Sequence, residues 1–203
     1  MIIGPKYKIC KRLGSAVFEQ CQTQKFSLSE AKKPQKKTFT RAGAGSEFKK
    51  QLIEKQKIRF AYGVSERQLT RYVNESMSSK LGPSKALVNR LESRLDNVVY
   101  RLGLAKTRRL ARQMVSHGHI LVNGRRLMVP SYEVQVNDKV SVREGSKASP
   151  LFQKLLEETN DSVKPAWLMF DLKTLTGEKK ADPISAVSEF LFDPVQVLEY
   201  YSR

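Results

Sequence analysis

The sequence predicts an α+β fold in which a helical domain carries an inserted small module of two helices packed on a small antiparallel sheet. Between Leu87 and Gly118, apolar residues recur at spacings of three and four, which is the pattern of amphipathic helices. After Gly118, apolar and polar residues alternate, and Asn123-Gly124 separates two apolar runs, which is typical of a tight β-hairpin. We therefore predict helix, helix, hairpin and strand over residues 84–143.

The two helices of this module are predicted to show arginines on their outer faces. The first helix is predicted as a single element from Leu87 to Gly103. Its apolar stripe consists of Leu87, Leu91, Leu95, Val98 and Leu102, and its second stripe of Arg90, Arg94, Asn97 and Arg101. The next helix has Thr107 as its expected N-cap and Gly118 as its expected stop. The outer face of this helix presents Arg108, Arg109, Arg112 and Ser116.

The hairpin adds two more arginines to the module. Arg125 stands at the exit of the Asn123-Gly124 turn, and Arg126 follows it and points to the opposite side. The planar fork of arginine suits phosphate oxygens. The arginines of the two helices and of the hairpin, gathered in one short module, therefore indicate an RNA-binding surface.

The segments before the module are predicted to be a basic arm and a helical domain. Residues 1–45 are rich in lysine and poor in apolar periodicity, so we expect an arm that orders on RNA, with a short helix within 15–22. Residues 46–80 should form two helices, the second opened by a capping box from Ser65 to Gln68. The basic residues of this domain are Lys49, Lys50, Lys57, Arg59, Arg67 and Arg71.

The last segment, residues 148–203, is predicted to return to the helical domain after the module of residues 81–147. It contains a helical pattern from Phe152 to Glu158, strand-forming residues near Trp167, and an aromatic end. Residues 1–80 carry 18 basic and 6 acidic side chains and residues 81–147 carry 13 and 5, but this last segment carries 6 and 9. The total of +17 favours a polyanionic partner for the first two-thirds and a protein partner for the end.

Several other classes of function find little support in the sequence. No apolar run of about 18 residues exists, and the first residues do not resemble a secretory signal. No nucleophile elbow, phosphate-binding glycine loop or HExxH motif is found. His117 and His119 lack a third metal ligand nearby in sequence, and Cys10 and Cys21 are expected to stay reduced without a disulfide.

Several stretches resemble one family throughout the chain. The module segments RLDNVVYRLG, TRRLARQMVSHGHILVNGRR and PSYEVQVNDKVSV are similar to the RNA-binding module of the bacterial ribosomal protein S-four family. The helical segment LIEKQKIRFAYGVSERQLTRYV and the ending EYYSR resemble the same family. The likeness runs from Gly4 to Arg203. The module also occurs in RNA-modifying enzymes, so the module alone does not decide the function. The likeness of the flanking segments favours the ribosomal family.

This resemblance implies a cytoplasmic, non-enzymatic protein of the small ribosomal subunit. It implies a primary binder of 16S ribosomal RNA that nucleates assembly of the 5′ domain, lies at the entrance of the mRNA channel and contributes to translational accuracy. Its implied partners are the neighbouring proteins S-five and S-three and mRNA, without membrane or small-molecule substrate. Some members carry a four-cysteine zinc knuckle, but Tyr7 stands where a paired cysteine is expected, so we predict no metal and no cofactor.

The sequence predicts three sets of candidate residues. The predicted rRNA-binding residues are Lys49, Lys50, Lys57, Arg59, Arg67, Arg71, Arg90, Arg94, Arg101, Arg108, Arg109, Arg112, Ser116, His117, Arg125 and Arg126. The candidates for the mRNA entrance are Arg41, Lys49 and Lys50, and those for a protein interface are Glu189, Asp193, Glu199 and Tyr201. Two alternatives stay open, an RNA-modifying enzyme with the same module and a free-standing RNA chaperone.

Overall fold

The computed structural model describes residues 4–31, 47–149, 152, 165–171, 174–183 and 190–202. The chain forms two compact units, Met1–Leu87 with Ser185–Arg203 and Val88–Ile184. The first unit is helical where described, and the second combines helices with an antiparallel sheet, so the predicted α+β class is confirmed. The unit boundaries differ from the predicted ones, because the segment after residue 147 divides between the two units.

The helical unit begins with ordered structure where the sequence indicated an arm. Its helices are α1 (Lys6–Leu13), a 3-10 turn (Glu19–Cys21), α2 (Gln24–Ala31), α3 (Glu47–Tyr62), α4 (Glu66–Met77) and, at the end of the chain, α9 (Pro194–Tyr201). Leu13, Val17, Phe18 and Phe26 form a small core, against which Phe60 of α3 packs. The prediction of an unfolded arm is therefore wrong for residues 4–31, because α3 supplies the missing apolar surface. Residues 32–45 lie outside the described part of the chain.

The predicted capping box of α4 is confirmed, and the cysteine prediction is wrong. The Ser65 hydroxyl accepts from the Gln68 backbone N–H, and the Gln68 side chain accepts from the Ser65 N–H. Cys10 and Cys21 form a disulfide inside the small core. The chain reverses between α1 and the 3-10 turn, which brings together two cysteines whose spacing gave no sign of pairing.

The second unit contains a helix break that the sequence pattern did not predict. Instead of one helix, the chain forms α5 (Pro83–Glu92), which continues from the first unit, and α6 (Leu95–Arg101). Residues 93–96 include the break and the first two residues of α6. They form backbone hydrogen bonds with residues 130–134. The Leu95 N–H donates to the Tyr132 carbonyl at 2.8 Å, and the Val134 N–H donates to the Ser93 carbonyl at 2.8 Å. These bonds replace the helical ones at the break.

A five-stranded antiparallel sheet completes the second unit. After α7 (Arg108–Ser116) come β1 (Ile120–Val122), β2 (Arg125–Arg126), β3 (Lys139–Val142), α8 (Glu144–Lys147), β4 (Leu168–Asp171) and β5 (Thr176–Lys179). The strand order is β2-β1-β3-β5-β4. The two-residue turn is confirmed, since Asn123 and Gly124 have φ of 50° and 76°. The helix predicted from Phe152 to Glu158 falls mostly outside the described residues.

Gly177 of β5 lies where the sheet approaches α6, and this contact yields a stability prediction. A Cβ added at Gly177 would lie 2.5 Å from Cδ1 of Leu102, whose side chain is in the core of the unit. We expect Gly177→Ala to lower the free energy of unfolding by about 1–3 kcal/mol through overpacking. Urea unfolding followed by the fluorescence of Trp167, a core residue of this unit, measures the change. Gly145→Ala is the matched control, because no atom lies within 4 Å of its added Cβ. Equal stability of the two variants would contradict the prediction.

Candidate nucleic-acid interface

Helix α7 presents its arginines as the sequence predicted. Thr107 caps the helix by accepting from the Leu110 N–H at 3.1 Å, which fixes where the helix begins. Its inner face, with Ala111, Met114 and Val115, belongs to the core of the unit. The outer face carries Arg109 and Ser116, which are exposed, and Arg108 and Arg112, which are half-buried.

The half-buried arginines of α7 are held by residues of α6. Arg108 donates from Nε to Oδ1 of Asn97 at 2.8 Å, and its guanidinium lies 4.4 Å from the centroid of the Tyr100 ring. Nη1 of Arg112 lies 3.9 Å from Oδ2 of Asp96. Two of the three arginines on the outer face of α7 therefore have orientations that α6 restricts.

The hairpin lies beside the C-terminal end of α7. Arg126 donates from Nη2 to the His117 carbonyl at 3.1 Å. Its guanidinium covers Gly118, where an added Cβ would lie 2.0 Å from Arg126 Nε. Gly118 has φ of 72°, so both its conformation and its contact favour glycine at this position. The hairpin residue Arg126 therefore lies at the C-terminal end of α7, next to exposed His117.

The arginines of α5 and α6 are paired within the unit. Arg90 forms an ion pair with Glu133, and Arg101 binds Glu92 through two bonds of 2.9 Å. Arg94 is only 1% exposed and binds Asp96 through bonds of 3.0 and 2.7 Å. The predicted outward stripe of these arginines is therefore wrong for Arg94, because the helix break turns it inward. Any effect of Arg94 on RNA binding would act through the fold.

The helical unit carries the remaining basic candidates. Lys49, Lys50, Arg67 and Arg71 are exposed, and Lys57 and Arg59 are partly buried. Their carboxylate neighbours within this unit are Glu47 for Lys50 at 3.5 Å, Glu54 for Lys57 at 2.6 Å, Glu66 for Arg59 at 3.1 Å and Glu75 for Arg71 at 3.6 Å. The two exposed pairs, Lys50–Glu47 and Arg71–Glu75, contribute little to stability.

The protein-interface candidates lie on or beside α9 where they are described. Asp193 caps α9 by accepting from the Val195 N–H at 2.9 Å, and exposed Glu199 accepts from Nε2 of Gln51 at 3.1 Å. The Tyr201 hydroxyl donates to Glu66 at 2.7 Å, so this side chain holds α9 to the unit. Glu189 and the mRNA candidate Arg41 lie outside the described residues.

Lys55 is a buried residue of α3 that was not predicted from the sequence. It is 6% exposed, donates to Oε1 of Glu66 at 2.8 Å and lies 4.4 Å from the ring centroid of Tyr200. Burial alone would raise the pKa of Glu66, but hydrogen bonds from Lys55 and Tyr201 lower it below its usual range. The pKa of Tyr201 is raised by burial and by this same carboxylate. The ionised Glu66 therefore stabilises the fold above its ordinary pKa, and this stabilisation is lost as pH falls.

The two histidines and the two cysteines do not form a metal site. Within the ranges that the structure describes, no three His, Cys, Asp or Glu side chains converge as a metal ion requires. Cys10 and Cys21 bind each other, and Tyr7 provides no thiolate, so these residues do not fit the zinc knuckle of some relatives. His119 contacts Ser146 at 2.9 Å, and burial and the nearby Arg143 lower its pKa. Among the described helices, none is both long and apolar enough to cross a membrane.

Comparisons with known proteins match nearly the whole chain to one family. Residues 93–140 match the S4 domain, and residues 1–93 match the ribosomal protein S4/S9 N-terminal domain. The chain is similar to small ribosomal subunit protein uS4 of Natranaerobius thermophilus, with 41% identity over 98% of both chains. It is likewise similar to uS4 of Vesicomyosocius okutanii, with 42% identity, and of Halothermothrix orenii, with 38%, again over 98% of both chains.

Proposed function

Because the chain belongs to the uS4 family of small ribosomal subunit proteins, we propose that it is a non-enzymatic structural component of the cytoplasmic small ribosomal subunit that binds ribosomal RNA. The observation that carries this proposal is the basic surface formed by α7 and the hairpin. Arg109 and Arg125 are exposed, and contacts with Asn97, Asp96 and the His117 carbonyl restrain Arg108, Arg112 and Arg126 respectively. Phosphate contacts from such a surface supply most of the affinity for RNA.

The finer proposal is that the chain binds 16S ribosomal RNA as a primary binder and nucleates the 5′ domain. The charge supports it, because the first 147 residues hold the whole positive excess of the chain. The test measures the dissociation constant for a 16S 5′-domain transcript and for an unrelated structured RNA of equal length. We expect much tighter binding to the 5′-domain transcript and a steep loss of affinity with salt. Equal affinity for both RNAs would favour the free-standing RNA chaperone.

A second part of the proposal places basic residues at the entrance of the mRNA channel. Exposed Lys49 and Lys50 lie in the first turn of α3, and Arg41 precedes them in sequence. We expect Arg41→Ala to slow unwinding of a structured message by reconstituted ribosomes about twofold, because one phosphate contact is lost. Lys85→Ala, an exposed lysine of α5, is the control. Unchanged unwinding with Arg41→Ala would remove this residue from the role.

The end of the chain is proposed to contact a neighbouring small-subunit protein such as S-five or S-three. Its described surface combines exposed Val195 and Glu199 with Phe48, which is 46% exposed and lies 5.5 Å from Tyr200 between ring centroids. Aromatic and aliphatic side chains near a few acidic ones suit a protein interface better than an RNA surface.

This proposal predicts an effect on translational accuracy. We expect Glu199→Lys to raise stop-codon readthrough about two- to fivefold, because charge reversal weakens a contact at the rim of the interface. Binding of the 5′-domain RNA should stay unchanged in the same variant. Glu144→Lys, an exposed acidic residue of the other unit, serves as the control. Weaker RNA binding with normal readthrough would place this segment against RNA instead.

A further inference from the structure

Asn97 in the first turn of α6 is a buried amide whose two ends bind different partners. The residue is 1% exposed. Its Nδ2 donates to the Glu92 carbonyl at 2.9 Å and to Glu92 Oε2 at 2.8 Å. Its Oδ1 accepts from Nε of Arg108 at 2.8 Å. One side chain thus connects the end of α5 with the first turn of α7.

Glu92 determines which way this amide points. Its carboxylate is buried and bound by Nε and Nη2 of Arg101, each at 2.9 Å, so it is held ionised. An ionised carboxylate only accepts hydrogen bonds, so the amide must turn its Nδ2 toward Glu92. Oδ1 is then directed at α7, where it can accept only from a donor such as Arg108.

Arg108 is restrained in two directions by these surroundings. The bond from Nε fixes one edge of the guanidinium, and its central carbon lies 4.4 Å from the centroid of the Tyr100 ring. A flexible arginine loses rotamer entropy when it binds a phosphate. An arginine that is already restrained loses less of this entropy.

We propose that Asn97 is a positioning residue for RNA binding, which holds the Arg108 guanidinium in its binding orientation before RNA arrives. The proposal rests on the rRNA-binding function proposed above. Glu92 and Arg101 act behind Asn97 by fixing its amide. The alternative is that Asn97 only joins α5 to α6 through the Glu92 carbonyl, in which case its loss would change stability and leave the action of Arg108 intact.

A double-mutant cycle separates these two roles. Dissociation constants for the 5′-domain transcript are measured for the full chain with Asn97→Ala, Arg108→Ala and both. We expect Arg108→Ala to weaken binding about fivefold and to reduce the salt slope by about one, as for the loss of one phosphate contact. Asn97→Ala should weaken binding about threefold in the wild-type background, and should have no further effect when Arg108 is already alanine. Additive losses would overturn the proposal.

Asn89→Ala is the matched control, because it also removes an amide side chain that is hydrogen-bonded within the unit. Asn89 lies on the preceding helix, and its Oδ1 accepts from Ser93 Oγ at 2.8 Å. We expect this variant to lower the melting temperature without changing the salt slope or the affinity. An equal loss of affinity in Asn89→Ala and Asn97→Ala would mean that both act through stability alone, which overturns the proposal.

Arg108→Lys keeps the test decisive if Asn97→Ala does not fold. Lysine preserves the charge but has no Nε–H at the position that bonds Asn97 and no planar group to lie on Tyr100. We expect it to lose about threefold in affinity, as Asn97→Ala does, with an unchanged salt slope, whereas wild-type affinity would overturn the proposal. Failure of the wild-type chain to prefer the 5′-domain transcript would instead contradict the proposed function, so the two failures are distinguishable.

Discussion

Replacing Asp96 with alanine should lower the free energy of unfolding by about 3–5 kcal/mol, because the variant leaves a buried guanidinium without its carboxylate. Arg94 and Asp96 are 1% and 4% exposed and share bonds of 3.0 and 2.7 Å. Removing one partner of a buried pair leaves the other charge in the interior, where water cannot solvate it. The variant therefore bears the full desolvation cost of that charge.

Urea unfolding of the full chain, followed by Trp167 fluorescence, measures this change in the unit that contains both residues. Glu144→Ala is the control, because Glu144 pairs with Lys147 at 2.7 Å while its side chain is 86% exposed. Its loss should change the free energy of unfolding by less than about 1 kcal/mol. The double variant Arg94→Met/Asp96→Leu should recover much of the loss, because apolar side chains can replace a buried pair. Similar stability of Asp96→Ala and Glu144→Ala would show that Arg94 is not buried.

The helix break at Ser93 explains why the arginines of this region were only partly predictable from sequence. Leu91, Leu95, Val98 and Leu102 keep a helical spacing across the break, and no glycine or proline marks it. The cause is distant in sequence: residues 130–134 supply the hydrogen bonds that the helix gives up. Local periodicity cannot detect such a partner, so the inward turn of Arg94 was missed. The carboxylates Glu92 and Asp96 within this arginine-rich stretch were the available sign of internal pairing.

Features fixed by adjacent residues could be predicted from the sequence. The Asn123-Gly124 turn needs positive φ at both positions, which these two residues tolerate. The Thr107 cap needs only the backbone N–H of Leu110, so both features could be predicted. The disulfide of Cys10 and the burial of Lys55 depend on chain reversals and on α9 packing against α3, which local patterns do not encode. Of the candidate site, the positions of the arginines on the outer face of α7 were predicted, while the residues that restrain them were not, and RNA binding by this face stays a prediction.

Reversing the charge of Arg108, Arg109 and Arg112 together should abolish specific binding to the 5′-domain transcript, with an affinity loss on the order of a hundredfold or more. Three phosphate contacts are lost, and three carboxylates are placed against the RNA backbone. The structure adds one complication to the glutamate variant. A carboxylate at position 108 would face Oδ1 of Asn97, and one at position 112 would approach Asp96. Both contacts are repulsive, so we expect the glutamate variant to be less stable.

The triple glutamine variant separates charge from folding, because it removes the three positive charges without introducing repulsion. We expect it to fold with little change in melting temperature, to bind the transcript about tenfold to a hundredfold more weakly, and to reduce the salt slope by about two to three. The control replaces Lys80, Lys147 and Lys180 with glutamine, which removes the same number of positive charges from positions outside α7 and the hairpin. That control should bind with only a small loss. If it lost as much affinity as the arginine variant, net charge rather than the face of α7 would govern binding, and wild-type binding by the glutamine variant would exclude α7 from the interface.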